Sequence, residues 1–567
     1  MLGWRDGLSI GTTLKDFKVS DPNRSAAAHA TSRRRWRRGL RGRGAVVRSV
    51  FLCPAVGECR HIARIFRRRS TVGQGACATG VEIMKAFLLS ITTLLVLAAC
   101  GGGSMPSSTV QPAMQGVATS GTITAFGSVY VNGVRYDVSA ATIRKNDRSV
   151  MQSALAVGEV ALVRGHQSAQ TGQGTADSVE VEDNVVGPIA TIDVAGGKLT
   201  VLGQTVLVTA NTSFDMGITP ADLTGLMKGD AVEISGFADA NGVITATRIG
   251  RAEAGEPLQV LGTVAGFDAA NHVFMINGLK VDFTAASVSG FTAGAPANGD
   301  LVVVRGTAFD ATTTTLTATE VLRAHTDPRE SGDGQHSETG VVELEGLIMN
   351  FASATDFEVD GAKVTTTTST VYKGGTAADL ANNVRVEVRG SLDANKVLVA
   401  DEIDIHRIAA IELESTASSV DAANHTLQLL GVTVTVDAHT RFEDKSSAHV
   451  QMFTLQDVAV GDTIEVRGYE SPAGSGHILA TRLERLPPSM QVEVRGPFTA
   501  TTPPQFAIMG VVVDTTGAAF GSDNSHAALT ASDFFMQAVG RIVEVKGTLS
   551  GAIVTASEVT IESEEDR

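Results

Sequence analysis

One eight-residue pattern, G-x-x-V-x-V-x-G, recurs six times in this 567-residue chain, and it constrains the fold more than any other feature. The copies read GEVALVRG at 158–165, GDAVEISG at 229–236, GDLVVVRG at 299–306, NVRVEVRG at 383–390, GDTIEVRG at 461–468 and GRIVEVKG at 540–547. Nine to twelve residues after each closing glycine comes Ala-x-x-apolar: Ala176/Val179, Ala246/Ile249, Ala318/Val321, Ala400/Ile403, Ala480/Leu483 and Ala556/Val559. Earlier in each unit an apolar run breaks at Gly133, Gly203, Gly278, Gly361, Gly431 or Gly510 and then resumes. Three ordered landmarks, each present six times, mark an internal repeat, which must be recognised before any fold is considered.

The physics of each landmark is that of a β-strand. Asn132-Gly133, Asn277-Gly278 and Asp360-Gly361 are hairpin turns that need positive φ. The flanking residues alternate in polarity, which marks strands with one buried and one wet face. In the fourth copy Val386 and Val388 point one way, and Arg385, Glu387 and Arg389 point the other. The closing glycine permits a tight turn or a sharply coiled strand. Each unit therefore reads as five strands: one before the hairpin, two forming it, the glycine-bracketed strand and the Ala-x-x-apolar strand. Between the third and fourth lies a variable stretch that opens with Thr-x-aromatic at Thr212/Phe214, Thr370/Tyr372 and Thr440/Phe442. Leu223, Leu380 and Leu455 follow there, and a short helical turn carrying them would cover an open barrel end.

The expected fold class is all-β: a tandem array of about six small five-stranded OB-like barrels. Other small barrels or sandwiches are the alternative. The units run over 121–183, 186–251, 258–323, 341–407, 409–486 and 490–563. A polar, acidic linker at 324–340 splits the array three plus three, and neighbouring units are expected to pack on one another. These repeats resemble the bacterial family called domain of unknown function 5666, through the glycine-bracketed and Ala-x-x-apolar elements quoted above. The resemblance spans about 121–563 and implies secreted or lipidated β-rich repeats. It carries no activity with it.

Ahead of the repeats stand three segments of different character. Residues 1–83 hold 17 Lys and Arg against 5 Asp and Glu, three of the four cysteines and both tryptophans. This composition is foreign to the rest. The stretch reads as an upstream over-extension of the coding frame, with a disordered basic leader, an export signal or a nucleic-acid patch at Arg33-Arg34-Arg35-Trp36-Arg37-Arg38 as alternatives. Residues 84–99 then follow the basic, apolar, small order of a secretory signal, with a core too short to span a bilayer. Leu97, Ala98, Ala99 and Cys100 resemble a bacterial lipobox. That resemblance implies a diacylglyceryl group on the Cys100 thiol and cleavage before it. Gly101 follows, not the Asp that resembles an inner-membrane retention tag, which points to an outer-membrane lipoprotein facing the periplasm or the surface. Residues 100–120 read as a flexible tether. With Cys100 the last cysteine in the chain, the mature repeats hold no disulfide and no cysteine metal site.

No catalytic constellation emerges. None of the twelve histidines recurs at a repeat landmark, and no H-E-x-x-H, G-x-S-x-G or P-loop is present. Gly172-Gln173-Gly174 lacks the third glycine of a dinucleotide loop. Asp230, Asp300 and Asp462, each after an anchor glycine, read as turn formers, with Ca²⁺ or ligand contact as the alternative. His325 and His336 flank Asp327, Glu330 and Asp333 in the linker, which reads as a solvated loop or a loose divalent site. From Cys100 onward 28 basic residues face 56 acidic ones and there is no tryptophan, which disfavours nucleic acid. No cofactor, metal or catalytic residue is expected. The expected role is a lipid-anchored, non-enzymatic scaffold or binding array of the envelope. Its partners would be the membrane and a protein or envelope polymer. A carbohydrate- or peptidoglycan-binding array, or an unrecognised hydrolase, are the alternatives.

Overall fold

The computed structural model describes residues 114–168, 172–325, 327–328, 340–522 and 528–562. The leader, the signal segment, the lipobox with Cys100 and most of the tether and linker lie outside the described residues.

In unit one the first strand (Met114–Phe126) pairs with the second (Val129–Val131), and the second with the third (Val134–Asp137). The third runs parallel to the last (Gln173–Val181), which pairs with the glycine-bracketed strand (Val160–Ser168). That strand returns to the first and closes a five-stranded mixed barrel. Units two, four and six repeat the circuit. Units three and five keep the strand order, with the first strand broken after Thr263 and after Thr416.

The landmarks hold the barrel together. The ladder slips by one residue at every closing glycine, Arg164/Gly165 being the first case, and the last strand crosses directly over it. A Cβ on Gly390 would stand 2.0 Å from the Val399 carbonyl oxygen, and one on Gly468 2.2 Å from that of Leu479. The glycine thus admits a bulge that coils the strand around the barrel. The Thr-x-aromatic element that opens the variable stretch forms a short extra strand ahead of the expected helical turn. Ser213–Phe214 and Arg441–Asp444 lie parallel to the last strands of units two and five. There the threonine hydroxyl donates to the alanine carbonyl of Ala-x-x-apolar: Thr212 to Ala246 at 2.7 Å, Thr370 to Ala400 at 2.7 Å and Thr440 to Ala480 at 2.8 Å. Two landmarks separated in sequence are one hydrogen-bonded device. The expected helical turns follow, at Leu223–Gly225, Ala377–Asp379 and Leu455–Asp457, and as a full α-helix (Ala531–Gln537) in unit six. Leu223, Leu380, Leu455 and Phe534 are buried there.

Two expectations need correction. The tether does not extend to residue 120. Residues from Met114 on belong to the first strand, and Val117, Thr119 and Ser120 are buried in it. Their small polar side chains suit a strand covered on both sides, because Val117 to Ser120 also run parallel to Val341 to Leu344 of unit four. For the same reason the array does not divide three plus three. Unit one shares its sheet with unit four, unit two with unit three, and unit five with unit six. The first strands make all three junctions, so units one and four meet although two units separate them in sequence. The hydrophobic cores of units two and three merge, as do those of five and six, while units one and four keep separate cores.

Candidate functional site

Alternation along the glycine-bracketed strands correctly separates Val386 and Val388, which are in the core, from their charged neighbours. The charged face is not wet, however. Glu387 is 9 % exposed, and the outer faces of the barrels pack against other barrels. In units five and six the sheet register lines up two rows of side chains across five strands. One row runs Arg482, Arg467, Glu412, Arg495, Glu544, and the next runs Glu484, Glu465, Glu414, Glu493, Lys546. Like charges placed opposite one another repel. Ion pairs across, along and diagonal to the strands offset this: Arg467 reaches Glu412 at 2.9 Å and Glu465 at 2.8 Å, and Arg482 reaches Glu484 at 3.2 Å and Glu465 at 2.9 Å. Spare guanidinium donors then grip a loop and the last strand of unit two. Arg467 donates to the Ala210 carbonyl at 3.1 Å, Arg482 to that of Thr212 at 2.6 Å, and Arg441 to those of Asn211 and Thr247.

Where units one, two, four and five converge, a polar cavity of about 80 Å³ remains. Unit four contributes Glu345, Arg385, Glu387, Asp404 and His406, and unit five contributes Asp437, His439 and Arg441. Thr122 and Thr124 of unit one complete one wall. Glu345 accepts from Arg385 Nε and from the Thr122 N–H, both at 2.7 Å. Burial pushes the Glu345 carboxyl up, but Arg385, His406 and the Thr122 N–H outweigh it and hold it at about 2. Burial and then Glu343 and Glu345 push Glu387 well up. The His406 and His439 rings meet edge to face at 6.3 Å. Sequence reasoning missed this pair, since its members sit in different units and share no spacing signal.

A second ionic junction joins units one and two. Lys145 lies 2.6 Å from Glu159, 3.1 Å from Glu233 and 3.8 Å from Asp183. Asn146 holds Asp183 at 2.9 Å and reaches Glu256 at 3.3 Å, while Arg305 of unit three spans Glu182 and Asp147. Three carboxylates share one ammonium. Burial therefore prevails and pushes Asp183 and Glu233 up, Glu233 to about 7, with Asp183 adding to the rise of Glu233 and Glu159 to that of Asp183. Burial raises Glu182 to about 7 as well, against Arg305. Between about pH 4.5 and 7 the folded chain holds protons that the unfolded chain has released, so stability falls as pH rises through that window. Urea midpoints recorded across it should fall toward pH 7 in the wild type and flatten in Glu233→Gln. An equally steep profile in that variant would remove Glu233 from the account.

The remaining sequence candidates are placed plainly. Asp230, Asp300 and Asp462 each accept the N–H three residues back, from Met227, Ala297 and Ala459, and are turn formers. Among the described residues no group of His, Cys, Asp and Glu is arranged to hold a metal. Of the linker cluster, Glu330, Asp333 and His336 lie outside those residues, as do Leu97, Ala98, Ala99 and Cys100.

A family model described as a domain of unknown function (DUF5666) matches residues 115–180, 186–250, 345–404, 416–484 and 495–560. These are five tandem repeats. The match omits unit three, whose strands nevertheless follow the same order. No curated protein matches the chain.

Proposed function

Because the chain belongs to the DUF5666 family, whose description assigns no activity, we propose that it is a non-enzymatic scaffold of the cell envelope. In this reading it is held at the outer membrane by a diacylglyceryl group on Cys100, after cleavage behind Leu97, Ala98 and Ala99. Its six units are OB-like: first to second to third to last to fourth strand, with a helical turn between third and fourth in most. The observation that carries the proposal is where the recurring residues go. The closing glycines admit bulges, the threonines hold the alanine carbonyls, the anchor aspartates form turns and charged side chains such as Arg482 and Lys145 bind barrel to barrel. What repeats serves the architecture, and among the described residues no group of His, Cys, Asp and Glu is arranged to hold a metal. The partner is a protein or envelope polymer. Nucleic acid is disfavoured by the excess of carboxylates. A sugar-binding array has weaker support, because every described Phe and Tyr is buried or half-buried and no exposed aromatic platform is on offer.

Lipid anchoring rests on the chain length and number of acyl groups, each buried CH₂ contributing about 0.8 kcal/mol. Cells expressing the protein and fed labelled palmitate should yield a labelled band that sediments with outer membranes. Cys100→Ser should lose both the label and the sedimentation. Palmitate still incorporated by Cys100→Ser would refute the anchor.

A further inference from the structure

The central cavity is lined by a buried guanidinium and by a buried hydroxyl that has no hydrogen-bond partner. Arg441 is 4 % exposed, and among the described residues no carboxylate lies within ion-pair distance of it. Its guanidinium carries five N–H donors, and its two recorded bonds go to the neutral carbonyls of Thr247 and Asn211. A buried charge without a counter-ion at contact is costly. Around the same cavity the Thr124 hydroxyl is sealed from solvent and lacks a hydrogen-bond partner, while Glu387 Oε2 and His406 Nε2 have only long ion-pair contacts, to His439 Nδ1 and Glu345 Oε1, both at 3.5 Å. Thr124 is 7 % exposed and Glu387 9 %, so both are built into the fold.

We infer that this cavity binds one small monovalent anion, a halide or a small oxyanion such as nitrate. Arg441 would supply the charge, with the Thr124 hydroxyl and the His406 ring as surrounding donors.

The acidic neighbours do not oppose this. Glu345 is neutralised by Arg385 at 2.7 Å. Asp437 is occupied by the N–H groups of His439 and Thr440 at 3.0 and 3.1 Å. Asp404 is raised by burial and faces His439 and Lys373. Burial, then Glu343 and Glu345, push Glu387 well up, and its Oε2 faces His439 Nδ1 at 3.5 Å. Burial, then Arg385 and Arg482, pull Arg441 down to about 9, the response of a cation crowded by other cations. A cation in the cavity would meet that guanidinium at close range. The volume accommodates an ion a few atoms in size.

The full-length protein, crystallised without halide and soaked in sodium bromide, should show an anomalous bromine peak in the cavity within hydrogen-bond distance of Arg441. In solution, replacing gluconate by chloride, bromide or nitrate at constant ionic strength should raise the unfolding midpoint. Thr124→Val should weaken the anion dependence by about tenfold, as expected for the loss of one hydrogen bond to a charged group. Arg441→Gln should abolish it. If Arg441→Gln does not fold, Thr124→Val and the bromide map decide. Cavity density that scatters as water alone overturns the proposal. So does an anion-specific shift that persists undiminished in Thr124→Val. Cys100→Ser should leave every one of these results unchanged, so the site stands or falls separately from the lipid anchor.

Discussion

Gly468→Ala should unfold the fifth barrel at urea concentrations that leave the wild type intact. The new methyl carbon would lie 2.2 Å from the Leu479 carbonyl oxygen, 2.9 Å from Ile478 Cγ2 and 3.0 Å from Ala480 Cα. Two of these three atoms are backbone, so no side-chain rotation relieves the clash. Relief requires the last strand to lift off the glycine-bracketed strand, and that motion breaks the ladder from Gly468–Ala480 outward. It also carries away the Ala480 carbonyl that Thr440 holds at 2.8 Å. Overpacking a core costs about 1–3 kcal/mol when side chains can yield, so a clash with backbone belongs at about 3 kcal/mol or above. Gly431→Ala in the same barrel is the control. Its φ is +82° and nothing lies within 4 Å of an added Cβ. Only the left-handed conformation opposes the methyl group there, at about 1–2 kcal/mol. Equal urea midpoints for the two variants would mean that the crossing strands have more room than this geometry allows.

The same glycine shows what can be read from sequence and what cannot. Its recurrence with alternating valines marks a strand, because period two is local and each residue reports its own face. Val386 and Val388 are in the core as that reading requires. Alternation reports that the opposite face is polar, but not whether water or another barrel covers it. Glu387, Glu465 and Arg482 therefore read as solvated residues, although they are buried between units. The partnership of units one and four is illegible for a related reason. Residues 116–120, GVATS, have the composition of a linker, and nothing local says that a strand 223 residues away will place the Glu345 carboxylate on the Thr122 N–H. Nor does period separate the two halves of the cavity, since His406 and His439 meet only once the double barrels have packed. The short strand at Arg441–Asp444 was too brief for any alternation to register, yet it positions Arg441.

Arg482→Met should cost about 3–5 kcal/mol, the range for breaking a buried ion pair by removing one partner. The side chain is 5 % exposed and binds three groups at once: Glu465 at 2.9 Å, Glu484 at 3.2 Å and the Thr212 carbonyl of unit two at 2.6 Å. Methionine fills much of the volume, so the loss is electrostatic and not a cavity. The row of four glutamates loses one of its cations, and the Thr212 carbonyl loses its only guanidinium donor among the described residues. Arg482→Lys should recover less than half, because an ammonium cannot span three partners that a planar fork reaches together. The exposed pair Lys373–Glu402 is the matched comparison: 2.7 Å long, with side chains 52 % and 34 % exposed. Lys373→Met should cost under about 1 kcal/mol. Salt separates the two further, since screening acts on exposed charges and little on buried ones. Raising sodium chloride to about 1 M, where the screening length is near 3 Å, should erase the Lys373 effect and leave most of the Arg482 effect. If salt removed both equally, the charged rows would be solvated faces after all, and the barrels would be held together by their first strands alone.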